Sequence, residues 1–305
     1  MSVMPSYIAT ILIWSTTPLA IKFSSDSVSP IAALCLRMLI ALTCALLVVA
    51  LWKRADFFKK RNAINYFVAS LALFPNMPLV YYASQTISSG LISVLFGLMP
   101  FVTALFAIFI LGENSFTPRR ILAQTIALVG LILISSEQLA LGEDAFIGVL
   151  LMVASTCVYG FSNVWLKKIS ARNAIHPFDQ TTGALAFAMP GLLLCWYFMD
   201  GKIASDISQT SAISIGYLAM IGSLVGFVTF FHIHRHMDIR MVSLIPVITP
   251  VIALWIGQVF VGEELTQTTM IGVCFIIFGL ILYEGISRPQ IIKLCQTKWT
   301  LLKRK

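Results

Sequence analysis

The chain has 305 residues, of which 58% are hydrophobic and only 11% charged, and its mean hydropathy is +0.90. Soluble domains run near half apolar and a quarter charged, so a water-soluble fold is excluded and the bilayer must be the solvent for most of the chain. The net charge of +8 does not indicate a nucleic-acid binder: the basic residues lie in short clusters between long apolar runs, as orientation signals do, and not along one soluble face.

A membrane helix takes about 20 mostly apolar residues. Ten such runs follow one another: 4–22, 31–52, 64–83, 89–111, 119–136, 145–166, 180–199, 211–231, 241–261 and 268–286. They are continuously apolar and do not alternate with period two, which excludes a β-barrel. The expectation is an all-α integral membrane protein with ten transmembrane helices, successive ones antiparallel because the connections are short. The opening residues, Met1 to Ser6, have no basic region and no small-residue cleavage site, so the first run reads as a retained helix and not as a signal peptide.

In the first run, Trp14, Pro18 and Lys22 are spaced i, i+4, i+8 and share one helix face. Such a stripe suits a cavity wall better than lipid. Pro18 frees a backbone carbonyl that a ligand can use. The competing reading is that Trp14 packs and that Lys22 snorkels to the interface, which is favoured for the lysine. Arg37, about six residues into the second run, either attracts a carboxylate or phosphate, or snorkels outward or pairs with an outer-loop acid; the structural role is slightly favoured. The third run holds Phe74-Pro75-Asn76-Met77-Pro78, then Tyr81 and Gln85. Two prolines three apart break the helical ladder near mid-membrane. Asn76 is costly there unless bonded. Either it contacts solute or it satisfies a carbonyl freed by a static kink.

The sixth run repeats the stripe of the first as Tyr159, Asn163 and Lys167. In the eighth, Gly222-x-x-x-Gly226 reads as close helix packing. His232-x-His234-x-His236 has ligand-like spacing but no Cys or Glu to complete a shell, so no metal is expected. Trp255 and Gln258 in the ninth run are further cavity candidates. Glu113 and Glu263 close the fourth and ninth runs, where a turn or pairing role is expected. Residues 287–305 form a basic tail in which Ile291, Leu294, Cys295, Trp299 and Leu302 can share a face, suited to lying on anionic lipid. The six cysteines show no C-x-x-C spacing, which suggests neither zinc nor disulfides.

Every Lys and Arg except Lys22, Arg37 and Lys202 falls on the same side if the N-terminus is cytoplasmic. Both termini are therefore expected inside, in an inner (plasma) membrane.

The halves also resemble each other. At an offset of 150, Ser93 matches Ser243, Pro100 matches Pro250, and Gly112-Glu113 matches Gly262-Glu263. At 145, Trp14 matches Tyr159 and Lys22 matches Lys167. At 147, Ser29-Pro30 matches His176-Pro177. The expected units are 4–136 and 145–286, five helices each. Five is odd, so the second copy enters the membrane inverted. Inverted repeats allow a site near the midplane to face either side in turn.

With the segments Trp14 to Lys22, Arg37, and Pro100 to Glu113, repeated as Tyr159 to Lys167 and Pro250 to Glu263, the chain resembles the drug/metabolite transporter superfamily, in its ten-helix branch built from two EamA domains. The resemblance covers roughly 5–286. It implies a ten-helix bundle that exports or exchanges amino acids, related metabolites or drugs. The chain departs from it at Tyr159-Gly160, where the first copy has Trp14-Ser15, and at Ala184, the counterpart of Arg37.

No Walker A sequence is present, so transport is not driven directly by ATP within this chain. No carboxylate lies clearly mid-helix. Passive facilitation, exchange, and coupling through a helix-end group such as Glu113 all stay open. An embedded enzyme would need a convergent acid–base set and a channel would need charged rings; neither is visible. The expectation is a secondary transporter without cofactor. Its aromatic stripes favour an amino acid or an amphipathic amine-like solute over a multiply charged phosphate, with a cationic multidrug exporter as the alternative.

Overall fold

The structure, a computed structural model, describes residues 3–52, 55–112, 117–173, 175–199, 206–237, 245–263 and 266–285. Lys202, Arg240, Ser243, Glu113, Glu264, the tail 287–305 and the side chains of Glu137, His234 and Arg235 lie outside the described residues.

Thirteen α-helices are described and, among the described residues, no strand: α1 Val3–Ser24, α2 Pro30–Leu51, α3 Ala63–Ser70, α4 Asn76–Ala83, α5 Ser89–Phe96, α6 Met99–Leu111, α7 Pro118–Leu141, α8 Glu143–Ser170, α9 Pro177–Met199, α10 Gln209–Tyr217, α11 Gly226–His236, α12 Ile245–Val261 and α13 Gln267–Glu284. Seven stretches are long and apolar enough to cross a membrane, and two shorter apolar helices lie at Ile248–Val261 and Gln267–Tyr283. With the pair α3–α4, they account for all ten apolar runs.

Local chemistry sets the ends. Ser29 and Ser88 accept the N–H groups of Ala32 and Leu91, satisfying first-turn donors that have no partner within the helix. Gly112 and Gly262, matched at an offset of 150, end α6 and α12 with φ of 70° and 68°, a left-handed turn that favours glycine.

Three runs are less regular than continuous apolarity suggests. The third breaks over 71–75. Pro75 and Pro78 have no N–H to give Leu71 and Phe74, and the ladder fails there. The Phe74–Pro75 bond is cis. The fourth run divides at Gly97-Leu98, because Pro100 opens α6 and cannot donate back to the preceding turn. The eighth run contains a π-helical segment, Leu218–Val225, between α10 and α11. No proline marks it.

Helices α1–α7 cover the first of the two expected units and α8–α13 the second. They meet broadly: α1 packs on α11 and α12, α2 and α3 on α9, α4 and α6 on α8, α5 on α12, and α7 on α13. Glycines set the closest approaches. Gly130 of α7 faces Gly272 of α13, and Gly279 lies against Ala123 and Ala127, as small residues do where membrane helices touch. Leu47, Phe109, Ile132, Phe198 and Phe260 stay exposed on the outside, an apolar belt suited to lipid.

Candidate functional site

Two of the three backbone irregularities, those of the third and eighth runs, fall in corresponding places. Carrying the offset of 150 from the flanking fourth and ninth runs, 71–75 matches 221–225, inside the π-helical segment. Irregular backbone inside a bilayer is tolerated only where protein or a cavity satisfies it. Interrupted helices at matching positions of two repeats are the structural mark of a transport site.

Beside the first break lies a cavity of about 30 Å³, walled by Ala72, Leu73, Tyr159, Asn163, Thr181 and Phe227 among others. It joins α3 of one repeat to α8, α9 and α11 of the other. A volume of this size holds about one or two waters and is far below the few hundred Å³ of a ligand pocket, so the cavity as it stands is too small for a metabolite. Tyr159 and Asn163 both line it, and Ser162 donates to the Val68 carbonyl at 2.7 Å.

Beside the second irregularity lies Arg37, only 2% exposed. Its Nε donates to Ser223 Oγ at 3.0 Å and its Nη1 to Tyr81 Oη at 3.4 Å. A Cβ placed on Gly222 would sit 3.6 Å from Arg37 Nη2 and 3.8 Å from Thr17 Oγ1. The guanidinium therefore lies where α1, α2, α4 and the π-helical segment converge. The outward snorkelling or acid pairing expected for Arg37 is not what forms: among the described residues no carboxylate lies within ion-pair distance. The reason is geometric. The π-helical turn brings Ser223 onto α2, so the side chain is held inward by hydroxyls.

At the ends of α1 and α12, Lys22 and Glu263 form an ion pair, Nζ to Oε1 at 2.9 Å. Glu263 also accepts the Ser89 N–H at 3.0 Å, the Ser89 hydroxyl at 2.8 Å and, more weakly, the Gly90 N–H at 3.4 Å. The favoured snorkelling of Lys22 is thus corrected: the acid at the end of α12 captures it. Burial pushes the Glu263 carboxyl up, but the Ser89 donors and Lys22 outweigh it and hold it below its ordinary value. One carboxylate therefore ties α1 and the start of α5 to the loop after α12, joining the two repeats at this face.

The other expected site residues divide. Trp14 packs on Phe230 with ring centroids 4.7 Å apart, and Pro18 is buried within α1. Tyr81 meets Arg37, while Tyr159 and Asn163 line the cavity. Asn76 is used structurally: its Nδ2 donates to the Ala72 carbonyl at 2.9 Å and its Oδ1 accepts from Ser155 at 2.6 Å, bracing the break between α3 and α4. Three assignments are corrected. Trp255 is 60% exposed and Gln258 is exposed, because α12 turns Leu254 and Gly257 toward α5 and their neighbours away from it. Gln85 is exposed beyond α4, and its side chain donates to the neighbouring Ser84 hydroxyl. Lys167 is exposed near the end of α8. The His232 and His236 rings lie 4.5 Å apart; among the described residues no group of three ligating side chains assembles.

Ser223 and Thr181 were missed. Single hydroxyls in apolar runs are common, and only their three-dimensional neighbours distinguish these two. A buried polar group near the start of α9 was missed too: Asp179, Gln180, Thr181 and Thr182 are buried, and Gln180 Nε2 donates to the Asn65 carbonyl at 3.1 Å. The signal was the polar run Asp-Gln-Thr-Thr in an apolar helix.

The model of the EamA-like transporter family matches residues 2–136 and again 146–284. An uncharacterized transporter of Archaeoglobus fulgidus is 27% identical over 89% of this chain and 94% of its own length. Protein PagO of Salmonella typhimurium is 23% identical over 89% of both chains. An uncharacterized inner membrane transporter of Escherichia coli K12, YedA, is 23% identical over 89% of this chain and 87% of its own. A protein known from its crystal structure shares the fold with a TM-score of 0.64, at 16% identity over 93% of this chain and 97% of the other.

Proposed function

The chain belongs to the EamA-like transporter family, and from that membership we propose that it carries small metabolites, amino acids foremost, across the inner membrane by alternating access between its two repeats. The observation that carries this reading is the paired irregularity, Leu71–Pro75 and Leu218–Val225, with a cavity shared between the repeats beside it. It acts as a carrier and not as an enzyme.

In this reading both termini are cytoplasmic and the basic tail 287–305 rests on anionic lipid. Lys22 and Glu263 then close the outer face. The cavity lies beside Leu166 and Thr181, near the cytoplasmic end of α8, on the inner side. Opening outward requires the Lys22–Glu263 pair to part. The repeat mates of that pair are Lys167 and Glu113, and the inverted repeat assigns to them the closing of the inner face in turn. Such a cycle needs no nucleotide and suits an exporter or exchanger.

The test is counterflow in liposomes holding the purified protein and a labelled amino-acid mixture, with Tyr159→Ala and Trp14→Ala as controls. Saturable, trans-stimulated uptake that the controls weaken supports the reading. Folded protein that moves cationic drugs but no amino acid moves the substrate class to those drugs; folded protein that moves no solute refutes carriage.

A further inference from the structure

Arg37 is a buried cation whose described partners are neutral. A charge taken out of water is costly unless paired. Two hydroxyls, one at 3.0 Å and one at 3.4 Å, hold the guanidinium in place but do not neutralise it. Arginine is also the side chain whose planar fork fits a carboxylate through two parallel hydrogen bonds.

The repeat gives this arginine a place in the cycle. The cavity beside α3 is walled by Leu73, Tyr159, Ser162, Asn163 and Ala184. At the offsets already found for neighbouring helices, their counterparts are Ser223, Trp14, Thr17, Pro18 and Arg37. Two of these counterparts are seen near Arg37: Ser223 accepts from it, and Thr17 Oγ1, like Nη2, lies within 4 Å of where a Cβ on Gly222 would sit. The arginine site is therefore the first-repeat image of the cavity. In the second repeat the Ala184 methyl leaves the space open; in the first, the guanidinium fills it.

Resting on the carrier reading above, we propose that Arg37 is the anion-binding residue of the transport site and that it selects solutes bearing a carboxylate. Its Nη2, near Gly222, and its Nη1 present the edge that the carboxylate takes. The Tyr81 and Ser223 hydroxyls orient the fork. One guanidinium balances one carboxylate, so the pair itself carries no net charge. A phosphate dianion would leave a negative charge uncompensated. The site opens when the Lys22–Glu263 face opens, since α1 contributes both Thr17 and Lys22.

The experiment uses three probes with one ring and different charged groups: phenylalanine, phenylacetate and phenethylamine. Each competes in counterflow in liposomes and is tested for thermal stabilisation of the full chain in detergent. The expected result is that the two carboxylates act at concentrations about 10- to 100-fold lower than the amine, the range for a charge-assisted contact. Arg37→Gln removes that preference, Arg37→Lys keeps part of it, and Tyr81→Phe and Ser223→Ala weaken it severalfold. The last two retain the buried arginine and report even if Arg37→Gln does not fold. Amine and carboxylates acting equally, or a preference that survives Arg37→Gln, overturns the assignment and leaves the carrier reading standing. Inorganic phosphate is added as a fourth competitor, and phosphate competing as well as the carboxylates overturns the carboxylate choice. Carboxylates that bind and lose binding in Arg37→Gln, with no counterflow of any solute, support the anion site and overturn carriage instead.

Discussion

Replacing Glu263 by Gln removes the charge from the knot that joins α1, α5 and α12 while keeping its shape. In the wild type the carboxylate is 8% exposed and accepts two good hydrogen bonds from Ser89 and one from Lys22. Hydrogen bonds to a charged group contribute about 1.5–3 kcal/mol each, neutral ones about 1. Gln still accepts one bond from Ser89, so most of that bond is kept. Lys22 is 36% exposed, so solvent screening lowers the worth of the ion pair toward the surface value of about 1 kcal/mol or less. The sum is a loss of about 2 kcal/mol from the state closed at this face. If the open state lacks these contacts, the equilibrium shifts toward it by about 30-fold. The assay is labelling of Thr17→Cys, in a cysteine-free background, by a membrane-impermeant maleimide added to sealed liposomes. Labelling in the Glu263→Gln variant should rise by about that factor. A folded variant labelled at the wild-type rate would refute the claim that this knot holds the face shut.

Acid should act in the same way. Glu263 is held below its ordinary carboxyl value, so its contribution is full above the ordinary carboxylate range and is lost as pH falls through the lower folded-state value. Thr17→Cys labelling should stay flat near neutrality and rise only in acid; in Glu263→Gln it should not respond to that titration. Asn76→Ala strands the Ser155 hydroxyl and the Ala72 carbonyl, and should cost about 1–3 kcal/mol, read as a lower melting temperature in detergent; Trp255→Ala on the outer surface should leave both melting and counterflow unchanged. Ala184→Leu fills the cavity beside Tyr159 and should abolish counterflow while the protein still elutes as a folded species; transport at the wild-type rate would show that solute takes another route.

How much of this was legible in the sequence follows from what each signal depends on. The ten runs were visible because burial in lipid demands apolarity residue after residue, and the break at 71–75 because proline cannot donate a hydrogen bond. The π-helical segment carried no such mark: Leu218–Val225 is an ordinary apolar stretch, and it packs against α1 and α2. Spacing alone put Tyr159 and Asn163 on one face, and both line the cavity, but it did not show that Trp14 packs on Phe230 or that Lys167 is exposed. Trp255 and Gln258 were misplaced because a polar or aromatic residue in an apolar run signals a cavity only if its face points inward. Which face of α12 turns inward is set by Leu254 and Gly257 against Gly90 and Ser89. Arg37 was visible as a charge in the wrong place, but its partners lie 44 and 186 residues away, beyond any spacing rule. The Lys22–Glu263 pair spans 241 residues and was hidden for the same reason.

The most direct test of the account is a comparison of two single cysteines, Ser162→Cys in the cavity and Thr17→Cys at its image in the other repeat, each labelled by impermeant reagent from either side of the liposome. Alternation between the repeats predicts opposite responses: any substitution or solute that raises labelling at one lowers it at the other, and from opposite faces. Labelling that rises and falls together at both positions would contradict it.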